Sequence, residues 1–128
     1  MTDGYMVFTV GTTQAFNLTR YHSVPYIGLS AGTVEGNYQL PYAANTAKKL
    51  WIKVTGNTLD GAAQIMLRKN GGDTALFIDI NVGVTGVLTA TADVAIADGD
   101  LLNIQILTVG ASVGNLIFAS VGVTFLLP

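Results

Sequence analysis

Residues 65–80, IMLRKNGGDTALFIDI, constrain the fold of this chain more than any other stretch. Two apolar runs, 63–67 and 75–80, flank the polar segment 68–73. At its centre stands the dipeptide Asn70-Gly71, whose two residues accept the positive φ that a tight hairpin turn requires. The segment therefore predicts a β-hairpin, and this hairpin indicates that the whole chain is all-β.

The rest of the chain consists of short β-branched runs separated by turns of Gly, Asn, Asp and Thr. No long helical periodicity interrupts this pattern, which is typical of a sandwich, a barrel or a jelly roll. We predict a jelly-roll-like antiparallel β-sandwich of about eight strands, with Trp51 in the core and Lys53 facing outward. The predicted strands span 5–10, 38–43, 50–54, 63–67, 75–80, 87–96 with a weak break after 91, 101–109 and 116–126.

The region before residue 50 is less regular, although the length of 128 residues fits a single domain spanning 1–128. Residues 12–18 are polar and read as a loop or arm. Any strand within 24–29 lies at a sheet edge or begins after Pro25, because proline cannot donate to a ladder. We expect residues 1–20 to form an extended N-terminal strand or arm.

The composition suggests self-association. Hydrophobic residues make up 50% of the chain and charged residues only 11%, well below the usual quarter. Such a surface is readily covered by sister subunits, and symmetric homo-oligomers are common. The alternative is a compact monomeric sandwich with a Thr/Asn/Gly surface.

Charge and the chain ends argue against several classes of protein. The net charge is −2 and no basic run is present, so nucleic-acid binding is not expected. The absence of Cys excludes disulfides and thiolate metal sites. The start MTDGYMVF lacks a secretory signal pattern, and the apolar run 116–127 is too short for a membrane-spanning helix. We therefore predict no membrane partner.

The residues that could carry catalysis are few, and we predict no enzyme, no cofactor and no metal. His22 is the single histidine, and no GxSxG motif accompanies it, so a surface or interface role is favoured over general-base work. The sequence Asp98-Gly99-Asp100 reads as a turn rather than a calcium site, since no EF-hand spacing supports the metal. Asp79 lies inside an apolar strand on the same face as Phe77, and we expect it to face outward and to pair with Arg68 or Lys69.

The aromatic residues of the N-terminal part are the candidate contacts with partners, a role that tyrosine often fills. An alternative is a sugar-stacking platform built from the tyrosines. The candidate interface residues are Tyr5, Phe8, Phe16, Tyr21, Tyr26, Tyr38 and Tyr42.

Three segments in order, LRKNG at 67–71, DTAL at 73–76 and ADGDLL at 97–102, resemble a β-sandwich module of tailed-bacteriophage virion proteins. The closing strand 117–125 fits this resemblance, which covers roughly residues 50–125 and carries no catalytic residue. The layout is similar to that of the trimeric jelly-roll decoration, or cement, proteins of phage heads, and to the C1q/TNF-type jelly roll. Residues 1–49 match no family.

The resemblance implies a structural virion protein on the outer surface of the capsid, made in the host cytoplasm. It would bind as a homotrimer and stabilise contacts between copies of the major capsid protein, its expected partner. The alternative is a glycan- or receptor-binding module of a phage fibre.

Overall fold

A computed structural model describes residues 4–23 and 32–128, and these ranges contain ten β-strands and one short 3-10 helix, Glu35–Asn37. Eight of the strands are four residues or longer, which confirms the predicted all-β jelly roll. The two short strands, of three and two residues, extend the sheet edges. The strands are β1 Gly4–Val10, β2 Thr13–Ala15, β3 Thr19–His22, β4 Leu40–Pro41, β5 Asn45–Asn57, β6 Ala63–Lys69, β7 Gly72–Ile80, β8 Gly86–Ile96, β9 Leu101–Leu107 and β10 Asn115–Leu126.

The strands form two antiparallel sheets that pack face to face. Sheet A has the order β1-β10-β5-β8, and β2 also pairs with β10. Sheet B has the order β3-β9-β6-β7, and β4 also pairs with β9. Neighbours within a sheet are mostly distant in sequence, so most of the pairing is long-range.

The core lies between the sheets, where alternate residues of each strand point inward. The central strands provide most of it. On β5 and β10 the buried side chains alternate with exposed or half-buried ones, as strands with one solvent-facing side require. Among the described residues, the fully buried aliphatic side chains are Ala47, Leu50, Ile52, Ile65, Leu67, Leu76, Ile80, Leu102, Ile104, Ile106, Leu116, Val121 and Val123, and Phe125 is 1% exposed.

The predicted hairpin is present, and its strands run closer to the turn than expected. Asn70 has φ 52° and Gly71 has φ 74°, so both central residues adopt the left-handed backbone of a type I′ turn. Lys69 pairs with Gly72 across the turn. The register then shifts near Leu67, whose carbonyl oxygen accepts a hydrogen bond of 2.6 Å from the Thr74 hydroxyl. The Thr74 side chain thus supplies a hydrogen bond at the point where the pairing of β6 with β7 is irregular.

Two local predictions are wrong. Trp51 is not in the core: it lies half-buried on the opposite side of β5 from Leu50 and Ile52. The weak break after residue 91 does not divide β8, which is continuous. The expected position nevertheless carries an irregularity, because Ala47 pairs with Val94 and Lys49 with Thr91, so the register shifts there as at a β-bulge.

The N-terminal residues are part of sheet A where the structure describes them. β1 pairs with β10 over its whole length, and β2 pairs with the start of β10. Residues 12–18, expected to be a loop or arm, therefore contribute a short strand. The edge strand considered within 24–29 lies outside the described residues.

Candidate interaction surface

The outward side of sheet A forms one continuous surface. The strand register shows which of its residues lie side by side across neighbouring strands. Phe8 on β1 lies opposite Gly122 on β10, Gly122 lies opposite Trp51 on β5, and Trp51 lies opposite Thr89 on β8. The neighbouring rows continue the surface on both sides. We call it the sheet A face, and its residues are Met6, Phe8, Lys49, Trp51, Lys53, Val87, Thr89, Thr91, Ser120, Gly122 and Thr124.

The centre of the sheet A face depends on a missing side chain. A Cβ added to Gly122 would lie 2.5 Å from the indole of Trp51, which is closer than real Cβ contacts. Gly122 therefore lets the indole lie against the backbone of β10. The Trp51 Nε1 is buried and has no hydrogen-bond partner among the described residues.

The sheet A face exposes several large apolar side chains. Phe8 is 52% exposed, and Met6 and Val87 are also exposed. Large exposed apolar side chains are individually ordinary, but a set of them on one face is typical of an interaction surface.

The unpaired charges on the sheet A face are positive among the described residues. Lys49 and Lys53 stand two residues on either side of Trp51 and are both exposed. Among the described residues, neither lysine takes part in an ion pair, whereas the nearby Lys48 is bonded to Asp93. The face therefore combines apolar and basic groups, and the one carboxylate that follows them on the outward side of β8, Asp93, is already paired with Lys48.

The candidate interface residues do not share one surface. Phe8 lies on the sheet A face, while Phe16 is exposed beyond β2 and its N–H bonds the Gly114 carbonyl. Tyr5 and Tyr42 both stack on the buried Phe125, with ring centroids 5.2 and 5.3 Å away.

The remaining tyrosines also lie apart from the sheet A face. The Tyr21 hydroxyl accepts a 3.3 Å hydrogen bond from Gln105 on sheet B. Tyr38 packs against Gly32, and its carbonyl oxygen accepts a bond from the Ser23 hydroxyl. Tyr26 lies outside the described residues. The tyrosines that the structure describes therefore do not form a common stacking platform.

Burial affects the two tyrosines that stack on Phe125. The Tyr5 hydroxyl accepts a 2.7 Å hydrogen bond from Asn45 Nδ2. Desolvation raises the pKa of both Tyr5 and Tyr42, and the charge that Tyr5 would carry adds to the effect at Tyr42. Both hydroxyls therefore remain neutral at physiological pH.

A polar cluster beside the hairpin joins distant parts of the chain. Arg68 donates to both carboxylate oxygens of Glu35, with Nε–Oε2 2.9 Å and Nη2–Oε1 3.0 Å, and it also bonds Asp73. Asn103 donates to Glu35 at 3.1 Å. The Arg68 hydrogen bond is the main cause that lowers the pKa of Glu35, against the opposing effect of burial. No pattern around Glu35 in the sequence predicts this contact.

The predicted pairing of Asp79 with Arg68 or Lys69 is wrong. Asp79 and Phe77 do face outward, but the Asp79 carboxylate accepts a 3.0 Å hydrogen bond from Gln64, its cross-strand neighbour. Arg68 is occupied by Glu35 and Asp73, and Lys69 donates to the Ala95 carbonyl.

His22 lies in the interior rather than on the surface, which corrects the sequence interpretation. It is 3% exposed and makes an edge contact with Phe118, with ring centroids 5.8 Å apart. Burial lowers the pKa of His22 to about 4, because the charged form loses its hydration. His22 therefore packs between the sheets as a neutral ring.

The Asp98–Asp100 segment is a turn in this structure. The Asp100 carboxylate accepts bonds from the Ala97 N–H at 2.8 Å and from Asn70 Nδ2 at 2.9 Å. Within 4–23 and 32–128, no three His, Cys, Asp or Glu residues are grouped so that they could hold a metal ion. No helix of the described residues is long and apolar enough to cross a membrane.

Comparisons with known proteins identify the fold only. A scan against protein-family models found no match. A search of curated protein sequences also found no match. Among solved structures, the chain is similar to Eiger TNF from S. frugiperda, with a TM-score of 0.54 over 98% of this chain and 92% of that one. The sequence identity is 9%. The chain is therefore a jelly-roll β-sandwich with a TNF-like fold.

Proposed function

We propose that this protein is a non-enzymatic structural component of a tailed-phage virion, a capsid decoration protein that acts as a homotrimer. It would bind the outer surface of the head and stabilise contacts between major capsid proteins. The phage assignment comes from the sequence resemblance at residues 67–102. The single observation that carries the assembly part is the sheet A face, with its exposed apolar side chains and two unpaired lysines among the described residues.

The apolar groups of the sheet A face supply a driving force for assembly. Burying a large apolar side chain completely stabilises by about 1.5–3 kcal/mol. About half of this burial free energy is still available for each of Phe8, Met6 and Val87, because their side chains are exposed in the single chain. Association also has to offset lost translational and rotational freedom, about 4 kcal/mol or more. The whole patch, rather than one residue, is therefore needed.

The charges on the sheet A face favour a ring over a two-fold dimer. A two-fold contact through this face would bring Lys49 and Lys53 of both copies together, because isologous contacts join identical patches. A three-fold ring joins two different patches, so the lysines of one copy meet another surface of its neighbour. The exposed carboxylate of Asp98, which is outside the sheet A face and makes no side-chain hydrogen bond that the structure describes, supplies a suitable opposite charge.

We assign the contact with the capsid to the N-terminal part of the chain through Tyr42. Among the residues of this part that the structure describes, Phe16 and Val34 are large, exposed apolar side chains outside the sheet A face. Binding to the assembled head and not to its dissociated subunits would stabilise the head by linkage. The fibre alternative has less support, since Tyr5 and Tyr42 pack on Phe125 instead of presenting their rings for sugar stacking.

Assembly is tested by comparing Phe8→Ser with Phe77→Ser in sedimentation equilibrium. Phe8 is 52% exposed on the sheet A face, and Phe77 is 42% exposed on sheet B, so the pair is matched in residue type and exposure. We expect a trimer mass for the native chain and for Phe77→Ser, and a monomer mass for Phe8→Ser at the same concentration. A native monomer, or an equal effect of both substitutions, would contradict assembly through this face.

The virion role needs a separate measurement. The chain is added to heads of the encoding virus that lack it, and binding and the temperature of head disruption are recorded. We expect saturable binding and a higher disruption temperature. A stable trimer that leaves heads unbound and unprotected would reject the capsid role while keeping the assembly result.

A further inference from the structure

The hairpin turn is also a chemically fragile site. In an Asn-Gly pair, the backbone nitrogen of Gly can attack the side-chain amide carbon of Asn, because Gly has no side chain to obstruct the approach. Asn residues are among the thermolabile residues of proteins for such reasons. The Asn-Gly dipeptide, which tight hairpin turns favour, is therefore also the dipeptide that deamidates most readily.

The structure holds the Asn70 side chain in place by contacts with the next turn. Asn70 Nδ2 donates to Asp100 Oδ1 at 2.9 Å, and Asn70 Oδ1 accepts from the Leu101 N–H at 2.9 Å. The Asn70 N–H donates to the Leu101 carbonyl at 2.7 Å. Asp100 is itself fixed by the Ala97 N–H, which bonds its other carboxylate oxygen.

We propose that Asn70 is a latent deamidation site that Asp100 and Leu101 keep unreactive. Both polar atoms of the amide are bonded, so rotation toward the Gly71 nitrogen requires breaking two hydrogen bonds. Asp100 is a positioning residue in this scheme, and it takes no part in the reaction itself. The proposal is independent of the virion role.

The reaction that follows opening of these contacts needs only water. The Gly71 nitrogen forms a bond to Asn70 Cγ, and the bond from Cγ to Nδ2 breaks. The proton of the Gly71 amide passes to the departing nitrogen, which leaves as ammonia. Water then opens the cyclic imide at either carbonyl and gives Asp or isoaspartate at position 70.

The product does not fit the native contacts. A carboxylate at position 70 has no proton to donate to Asp100 and brings a second negative charge to a position now 2.9 Å from its oxygen. Like charges at this distance repel, although solvent reduces the effect. Deamidation therefore weakens the side-chain contact between the hairpin turn and the Ala97–Asp100 turn, and the change is irreversible.

The test compares Asp100→Ala with Asp98→Ala. Asp98 belongs to the same turn, is exposed, and makes no side-chain hydrogen bond that the structure describes. Folded proteins are incubated at mildly alkaline pH, and peptide mass spectrometry follows the conversion of residue 70. Asp100→Ala removes one of the two hydrogen bonds, the one with a charged acceptor, and leaves the bond from the Leu101 backbone N–H. A loss of about 1.5 kcal/mol, typical of a hydrogen bond to a charged group, corresponds to an expected acceleration of about tenfold. Asp98→Ala is expected to react at the native rate.

A second measurement uses the native chain alone, so it does not depend on the variant folding. Residue 70 should convert faster in urea than in buffer by at least the factor seen for Asp100→Ala. Equal rates in urea and buffer would overturn the proposal. Equal rates for folded Asp100→Ala and the native chain would overturn the role of Asp100.

The structural consequence of deamidation is tested with a variant that carries the product, Asp, at position 70. We expect Asn70→Asp to lower the thermal unfolding temperature, and the exchanged pair Asn70→Asp with Asp100→Asn to recover most of the loss, because an amide then faces a carboxylate again. An Asn70→Asp variant as stable as the native chain would refute the predicted repulsion.

Discussion

At the scale of single residues, Arg68 shows how a few polar contacts fix a loop that lacks an apolar core of its own. Its guanidinium bonds Glu35 through two nitrogens, and Asn103 bonds the same carboxylate. Bidentate pairs of this kind are stronger and more directional than simple ion pairs. The pair therefore fastens the 3-10 helix that contains Glu35 to sheet B.

Replacing Glu35 by Gln should destabilise the fold by about 2 kcal/mol, because the change leaves a largely buried guanidinium with weaker partners. The Arg68 and Glu35 side chains are only 14% and 18% exposed. Asp93→Asn is the control, since the Lys48–Asp93 pair is exposed and such pairs contribute at most about 1 kcal/mol. Urea unfolding measures both. Equal losses in the two variants would contradict the importance of the Arg68 pair.

At the scale of the strand, β5 shows how alternation and hydrophobicity can conflict. Trp51 stands between the buried Leu50 and Ile52 and shares its side of the strand with Lys53. The period of two therefore places the indole outward, although its hydrophobicity favours the core. The neighbouring strand resolves the conflict, because Gly122 leaves space on the outer side of sheet A for the ring.

Gly122→Ala should displace Trp51 and destabilise the fold by about 1–3 kcal/mol, the usual range for added volume at a packed site. Trp51 is the single tryptophan, so fluorescence reports on it directly. We expect a shift of the emission maximum and a lower urea midpoint. Gly36→Ala is the control, because its added Cβ would lie 4.0 Å from the nearest contact. Unchanged emission in Gly122→Ala would disprove the close packing.

At the scale of the whole molecule, stability depends on the contact between the two sheets. His22 belongs to sheet B, and its ring packs against Phe118 of sheet A. A charged imidazolium at this place would lose its hydration without gaining a carboxylate among its described contacts. The sandwich is therefore expected to be sensitive to acid through this one side chain.

The pH dependence follows from the pKa of His22, about 4 in the folded chain against an ordinary value of 6.5. Between these values the unfolded chain binds a proton that the folded chain does not, so the free energy of unfolding falls as the pH decreases. The total loss is about 3 kcal/mol. Denaturant titrations of the native chain and His22→Leu across this window should diverge. Parallel curves would contradict the prediction.

The fold was predictable to the extent that local patterns determine it. The Asn70-Gly71 turn and the flanking apolar runs predicted β6 and β7, because turn geometry and a period of two act over a few residues. The contact of Glu35 with Arg68 was not predictable, since it joins residues 33 apart without a local pattern. For the same reason the sequence did not indicate that Phe8 and Trp51 flank Gly122.

The sequence by itself determined the all-β class, the hairpin and the shortage of charge, because these follow from backbone preferences and composition. The tertiary structure decided which strands are neighbours, and therefore which side chains share a surface. It placed Trp51 on an outward face, moved His22 into the interior, and separated the tyrosines. These outcomes depend on long-range pairing, whose register is set by packing across the whole sandwich rather than by any segment alone.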